Sequence, residues 1–425
     1  MSLEQKKETN REKEPGKGSR KKLLLSLVFV SVVVVLLFAV GVSRGFSDSG
    51  DKAGIPTAAE KEEKGPVALS VLCVGDVMVH RPQIASQYQS ETGTYDYTDN
   101  FRYISPYIQE ADLALCNVET TFAGGTPTGY PSFNAPDALA DALYQAGFDV
   151  AMTSNNHMFD KGLAGLQRTL KVLRESGLET TGTQLTGEEN YAIKKVKGIP
   201  VGIVSYTYET PSAYGRPTIN SNVLSEEEEP YINSFSYEEL DPELLRIGNT
   251  IKKAREAGAK IVICYYHWGQ EYQRSPGDAE IYMAEKSADM GADMVFASHP
   301  HVLQGVGTVT GIETGRQIPV FYSMGNCISN QRSETLDNRY TEQGLMARVD
   351  LTFDAQTGTV AVQSVKGMGT WVDKYRSGGR DHYAVIPLDE NYKENETLAV
   401  SGHLSRATQA LTDIEETLGA EYIWK

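Results

Sequence analysis

The sequence predicts an α/β protein built on parallel strands, and three observations carry the prediction. Short runs rich in Val, Ile and Leu recur along the chain and suit strands buried on both faces. Amphipathic stretches that end in Gly alternate with them, as βαβ units require. Polar clusters then follow the ends of several runs, where open parallel sheets bind their ligands.

Taken in order, the chain opens with a basic tail at 1–22. It carries eight Lys/Arg against four Glu, about +4, so a formal net charge of −16 leaves about −20 (−16 minus +4) on the remainder. Residues 23–42, LLLSLVFVSVVVVLLFAVGV, are uncharged and long enough to span a bilayer as one helix. With Lys21 and Lys22 directly before this run, the N-terminus is expected in the cytoplasm and the rest of the chain outside the cell membrane. A cleaved signal peptide would have a shorter apolar core and small residues at its exit, whereas Val42-Ser43-Arg44 follows here. Residues 43–66 read as a polar linker.

Strands are expected at 68–74, 112–116, 149–154, 199–206, 260–266, 293–298 and 318–324. Between them, one helix starts at Pro136 and stops at Gly147, and a second stops at Gly177. A third runs from Asp241-Pro242 to Gly258 and a fourth from Asp278 to Gly291, with Asp as the expected N-cap. Residues 207–240, with Pro211, Gly215, Pro217 and the acidic run at 226–229, break the rhythm as a long excursion. It reads equally as a lid beside the site or as a solvated insertion. After residue 340 a β-hairpin is expected to turn near Thr357-Gly358, and an amphipathic helix ends the chain. Cys73, Cys116, Cys264 and Cys327 lack the close pairing of a zinc knuckle and are expected as buried thiols.

The strongly acidic body argues against nucleic acid as a partner, since that requires a basic surface. An anionic substrate would need metal ions or a local basic pocket to offset the repulsion. The polar clusters supply ligand types for one or two divalent metals. Asp76 follows a strand and a Gly; it suits a metal ligand or general base, although a lone Asp there also makes turns and caps. Asn117 and Glu119 fall on one side of an extended segment. Asn155, Asn156 and His157 are costly to bury without partners, and His157 suits a general acid. Asp160 either orients His157 or caps the next helix. His267 ends an apolar run, with Trp268 and Tyr272 as pocket walls or core and Glu271 as a partner. His299 and His301 flank Pro300 and would share a face of an extended chain.

In this order the residues resemble the CapA family of capsule-synthesis proteins, which includes poly-γ-glutamate capsule biosynthesis proteins. The likeness covers about residues 68–330 and rests on Gly75-Asp76-Val77-Met78 with Arg81, Asn117-Val118-Glu119, and Asn155-Asn156-His157 with Asp160 and Gly162. It continues through His267-Trp268-Gly269 with Glu271, His299-Pro300-His301-Val302-Leu303-Gln304 and Tyr322-Ser323-Met324-Gly325-Asn326. The family is similar in turn to calcineurin-like metallophosphoesterases, which implies a four-layer α/β/β/α sandwich over 67–390, with a C-terminal helical extension at 391–425. It implies Asp76 and His301 on a first metal, Asn156, His267 and His299 on a second, and Glu119 bridging them. It also implies His157, Asp160 and Arg81 as catalytic groups, and Asn117, Asn155, Trp268, Glu271 and Asn326 near the substrate. The expected cofactor is one or two Mn, Fe or Zn ions. Met78 stands where metallophosphoesterases carry a ligating His, so the site is expected to hold one tight and one loose metal, or one alone, unless His80 substitutes.

The function implied is a membrane-anchored, extracellular, metal-dependent hydrolase of cell-envelope polymer metabolism. Its partners would be an anionic polymer such as poly-γ-glutamate and membrane synthase subunits. Two alternatives stand beside it: a non-catalytic polymer-binding or export subunit, and a metal-assisted epimerase.

Overall fold

Two β-sheets lie face to face, each covered on its outer side by helices. This is a computed structural model, and it describes residues 65–424. The expected tail, anchor and nearly all of the linker therefore lie outside the described residues. Among the described residues no helix is long and apolar enough to cross a membrane.

The first sheet begins with β1 (Val67–Val77), α1 (Arg81–Gln87), β2 (Leu113–Val118), α2 (Ala138–Ala146), β3 (Val150–Met152), α3 (Gly162–Glu175) and β4 (Glu179–Thr181). The second follows as β5 (Ala192–Val196), β6 (Ile199–Tyr208), β7 (Ser234–Phe235), α4 (Leu240–Glu256) and β8 (Ile261–His267). It ends with α5 (Asp278–Asp289), β9 (Met294–Ser298), β10 (Val306–Thr310) and β11 (Gln317–Phe321). The chain then returns to the first sheet through β12 (Asn326–Ile328), β13 (Gln343–Asp354), β14 (Thr359–Ser377) and β15 (Arg380–Pro387), and α6 (Leu404–Leu418) follows. Strand order is β15-β14-β13-β1-β2-β3-β4, with β12 beside β1, and β7-β6-β8-β9-β11-β10, with β5 beside β6. The strands from β1 to β4 are parallel, as are β7, β6, β8, β9 and β11.

Side-chain alternation produces the layers. Leu69, Val71 and Cys73 of β1 meet Ile203, Ile263 and Phe296 of the opposite sheet in one core. Leu72 and Val74 point the other way, to Leu139 and Leu143 of α2 and Leu173 of α3. On the second sheet Val204, Cys264 and Val295 face Ile247 and Ile251 of α4 and Met283 of α5. Beyond the second sheet's reach, Ala410, Ile414 and Leu418 of α6 cover Trp371 and Ile386 of β14 and β15. All four cysteines are free and buried.

Several boundaries differ from expectation. β1 runs on to Val77, so Asp76 sits inside the strand, held where β12 pairs alongside. Asp241 and Asp278 are not N-caps; they lie in the first turns of α4 and α5, where a carboxylate still favours the helix dipole. For α5 the capping role falls to Glu280, whose Oε2 accepts from the Gly277 N–H at 2.7 Å. The excursion is not a solvated insertion. Thr210–Ala213, Arg216–Ile219 and Asn222–Val223 form a three-stranded antiparallel sheet. Ile219 and Leu224 pack with Met158, Phe159, Leu166 and Leu170, seating the excursion on the segment that carries His157.

At Gly75 the backbone of β1 passes so close to Gly325 that a Cβ would lie 1.9 Å from the Gly325 carbonyl oxygen. Both partners are backbone, so neither can swing aside. Gly75→Ala is expected to cost about 1–3 kcal/mol, as overpacked interiors do, read as a lowered urea midpoint. An unchanged midpoint would contradict this close approach.

Candidate metal centre

Parallel strands of both sheets deliver their polar residues to one place. Asp76 comes from the end of β1, Asn117 from β2, and Glu119 from the residue after Val118. Asn155, Asn156 and His157 follow β3, His267 is the last residue of β8, and His299 and His301 follow β9. Asn326 opens β12. All of these side chains are buried.

A web of amides holds the carboxylate of Asp76. Its Oδ1 accepts from Asn117 Nδ2 at 2.8 Å and from the Ser298 hydroxyl, and its Oδ2 lies 3.0 Å from His301 Nδ1. Asn155 Nδ2 donates to Asn117 Oδ1 at 3.1 Å and to the Val118 carbonyl at 2.8 Å. Asn326 Oδ1 lies 3.2 Å from His301 Nδ1, while its Nδ2 donates to the Thr341 carbonyl at 2.9 Å. Asn156 Oδ1 lies 2.9 Å from His267 Nε2.

Glu119 is different. Both carboxylate oxygens are buried with no hydrogen-bond partner, and so is His299 Nδ1. Glu119 Oε1 lies 3.8 Å from His267 Nε2 and 3.8 Å from His301 Nε2. A buried carboxylate without donors is costly unless a cation sits beside it. Two overlapping sets of ligand atoms, Asp76-Glu119-His267 and Glu119-His299-His301, each lie within 4.8 Å of one another. The orphaned oxygens and neutral imidazoles therefore fit divalent metal, with Glu119 common to both sets. The resemblance pairs His301 with Asp76, whose Nδ1 and Oδ2 lie 3.0 Å apart, and His299 with His267, whose ring centres lie 4.8 Å apart. His80 stands outside both sets: its Nδ1 accepts from the Asn330 N–H at 3.3 Å and its ring lies edge-on to Phe133.

Electrostatics agree with this chemistry. Burial, reinforced by the charge of Asp76, pushes the Glu119 carboxyl well up. Burial pushes His267 down to about 3 and His299 well below its ordinary value, leaving neutral imidazoles in the form that binds metal. Burial also acts upward on Asp76, but the hydrogen bond and charge of His301, with His267 and Ser298, hold it well below the usual carboxylate range.

The His299-Pro300-His301 segment is not extended as expected. His299 has φ 106° and His301 φ 57°, left-handed conformations that L residues adopt at a cost and that cluster at functional sites. The two rings nevertheless come within 5.9 Å.

His157 Nδ1 lies 2.8 Å from Asp160 Oδ2, and since a carboxylate only accepts, Nδ1 carries the proton. The same oxygen accepts from the Phe133 N–H at 2.7 Å. Asp160 thus orients His157, while α3 starts after Lys161 without a side-chain cap. Asn220, from the excursion, reaches in at 3.4 Å from Asp160 Oδ1 and 3.5 Å from His157 Nδ1. A cavity of about 380 Å³ opens here, lined by Met78, His80, Tyr130, His157, Glu271, Tyr272 and His301 among others.

Of the five residues expected near substrate, Glu271 lines the cavity and four do not. Trp268 is fully buried, stacked on Tyr266 at 4.8 Å, with its Nε1–H bonded to the Tyr322 carbonyl at 2.9 Å. It alternates with Tyr266 onto the helix-facing side of the second sheet. Asn117, Asn155 and Asn326 are also buried, spend their amides on protein partners and do not line the cavity. Arg81, expected to be catalytic, is exposed in the first turn of α1, directly after the extended N-cap His80, and does not line the cavity. Sequence reasoning missed Ser298, Tyr208, whose ring lies 4.6 Å from that of His299, and Asn220. Ser298 precedes His299 directly and could have been suspected; the other two sit in the excursion or at its edge without local pattern.

The sequence model of the family described as "Bacterial capsule synthesis protein PGA_cap" matches residues 70–331. Among curated proteins, the capsule biosynthesis protein CapA of Bacillus anthracis is 27% identical over 364 residues, covering 83% of this chain and 80% of that protein. The PGA biosynthesis protein CapA of Bacillus subtilis is 24% identical over 318 residues, covering 72% of each. Among solved structures, the calcineurin-like phosphoesterase YfkN of Bacillus subtilis aligns with TM-score 0.42 and 16% identity, covering 81% of this chain and 99% of that one.

Metal binding should be proton-linked. A cation must displace the proton that burial keeps on Glu119, so affinity should fall as pH drops through the raised Glu119 pKa and level off above it. Titration of the apo protein with Mn or Zn in buffers of different ionisation heat would show the released proton. A pH-independent affinity would contradict the assignment of Glu119. Elemental analysis should find near-stoichiometric metal in the wild type and little in His299→Ala/His301→Ala.

Proposed function

The chain belongs to the bacterial capsule synthesis protein family, and from that premise we propose a membrane-anchored, extracellular, metal-dependent hydrolase of an anionic cell-envelope polymer such as poly-γ-glutamate. The observation that carries the reading is the Glu119 carboxylate, buried without a donor among His267, His299 and His301. Asp76, Glu119, Asn156, His267, His299 and His301 would hold one or two ions of Mn, Fe or Zn. When bound, such ions polarise a phosphoester or amide group and activate water. The buried thioether of Met78, a weak donor, favours one tight and one loose ion.

The chain's own groups then have distinct tasks. Asp160 holds His157 by accepting its Nδ1–H, so Nε2 is the nitrogen that would take up a proton from solvent and pass it to the departing oxygen or nitrogen, with the Asp160 carboxylate stabilising the imidazolium in between. Asn117, Asn155 and Ser298 keep Asp76 fixed. Glu271 and Tyr272 form part of the cavity wall where substrate would enter. The uncharged run at 23–42 behind a basic tail supports the anchor and the outside location, where membrane synthase subunits would be the neighbours.

His157→Ala is expected to keep its metal and lose turnover of the polymer by about 10²–10⁴-fold, measured as release of shortened chains by the full-length protein. Full capsule output from cells carrying this variant, with metal retained, would sink the hydrolase and leave a polymer-gripping subunit.

A further inference from the structure

The body of this chain carries about −20 (−16 minus the +4 of residues 1–22), which repels a polyanion. A second cavity, of about 410 Å³, adjoins the metal-centre cavity: Asn330 and Thr335 line both. Its walls carry four cations, Arg332, Lys374, Arg376 and Arg406, against two carboxylates, Glu334 and Asp381. Apart from Asn330, every one of these residues lies beyond the stretch matched by the family model.

The cations are only partly satisfied by their neighbours. Arg406 is the most engaged, bonding to Glu334 at 2.6 Å and to the buried Glu342 at 2.6 Å. Arg332 is almost wholly buried; it donates to the Val372 carbonyl and shares Glu342 at 3.4 Å, while its Nε has no hydrogen-bond partner, with Glu334 Oε2 no closer than 3.8 Å. A buried donor without an acceptor is rare in a folded protein. Lys374 spends one of its three donors, on Asn330 Oδ1 at 3.2 Å, and keeps Asp381 no closer than 3.8 Å. Arg376 meets Asp381 at 3.0 Å with its side chain 70% exposed, leaving donors free toward solvent.

We propose that this cavity is an anion subsite that receives a carboxylate of the polymer next to the segment held at the metal centre. The ligand class is a polycarboxylate. Asn330 connects the two cavities physically: its side-chain oxygen accepts from Lys374, and its N–H donates to His80 at the wall of the metal-centre cavity. The inference rests on the proposed reading of an anionic polymer substrate and adds where its charge is neutralised.

The test uses the full chain, metal-loaded, with a short γ-linked glutamate oligomer and the matching neutral glutamine oligomer as probes. The variants are Lys374→Gln/Arg376→Gln and, as a charge-matched control, Lys252→Gln/Lys253→Gln on the exposed side of α4. The double variant should retain its metal and lose about tenfold or more in affinity for the glutamate oligomer, with a flatter salt dependence. The control should match wild type. Unchanged affinity in the metal-loaded double variant overturns the subsite and spares the polymer reading. A wild-type chain that binds both oligomers equally, or neither, overturns the polymer reading and the subsite with it.

Discussion

Everything at the strand ends is arranged around one unsatisfied group, the Glu119 carboxylate. Two β-sheets bring four side chains, Asp76, His267, His299 and His301, to within reach of it, and none of them donates a hydrogen bond to it. An apolar core folds without such a group, and a polar core would satisfy it. The fold instead invests its amides elsewhere: Asn117, Asn155 and Ser298 secure Asp76, and Asn326 abuts His301. The rigid part of the site is thus the frame, and the Glu119 oxygens are the part whose chemistry fits a cation.

The two sheets contribute unequally. The first sheet supplies the candidate oxygen donors, through Asp76, Glu119 and Asn156, while the second supplies the imidazoles, through His267, His299 and His301. Face-to-face packing of Leu69, Val71 and Cys73 on Ile203, Ile263 and Phe296 therefore sets the distance between the oxygen and nitrogen halves of the candidate centre. The crossing strand β12 reinforces this by pairing with β1 directly beside Asp76.

Much of this was legible in the sequence because period-2 patterning and helix punctuation are local signals. The parallel strands, the Gly-terminated helices at Gly147, Gly177, Gly258 and Gly291, and the positions of the polar clusters all follow from neighbours in the chain. What failed had other causes. Trp268 was readable as core, since Cys264, Tyr266 and Trp268 alternate onto the helix side of β8, but its place beside His267 in a motif obscured that. The histidine pair meets as expected by an unexpected backbone, because positive φ at two non-glycine residues leaves no sequence mark. Asn220 reaches Asp160 across 60 residues of chain, and nothing local announces a contact made only by the docking of a separate small sheet.

The four cysteines have a consequence of another kind. Reactivity belongs to the thiolate, and burial drives the thiols of Cys73 and Cys116 well up and that of Cys264 to about 12, with Cys327 raised as well. None is bridged, and each is sealed in the interior. The thiols of the finished domain are therefore indifferent to the redox potential of their surroundings. The domain needs no oxidase to mature and offers no bond for a reductant to cut, so it can pass from a reducing to an oxidising compartment without changing its covalent structure.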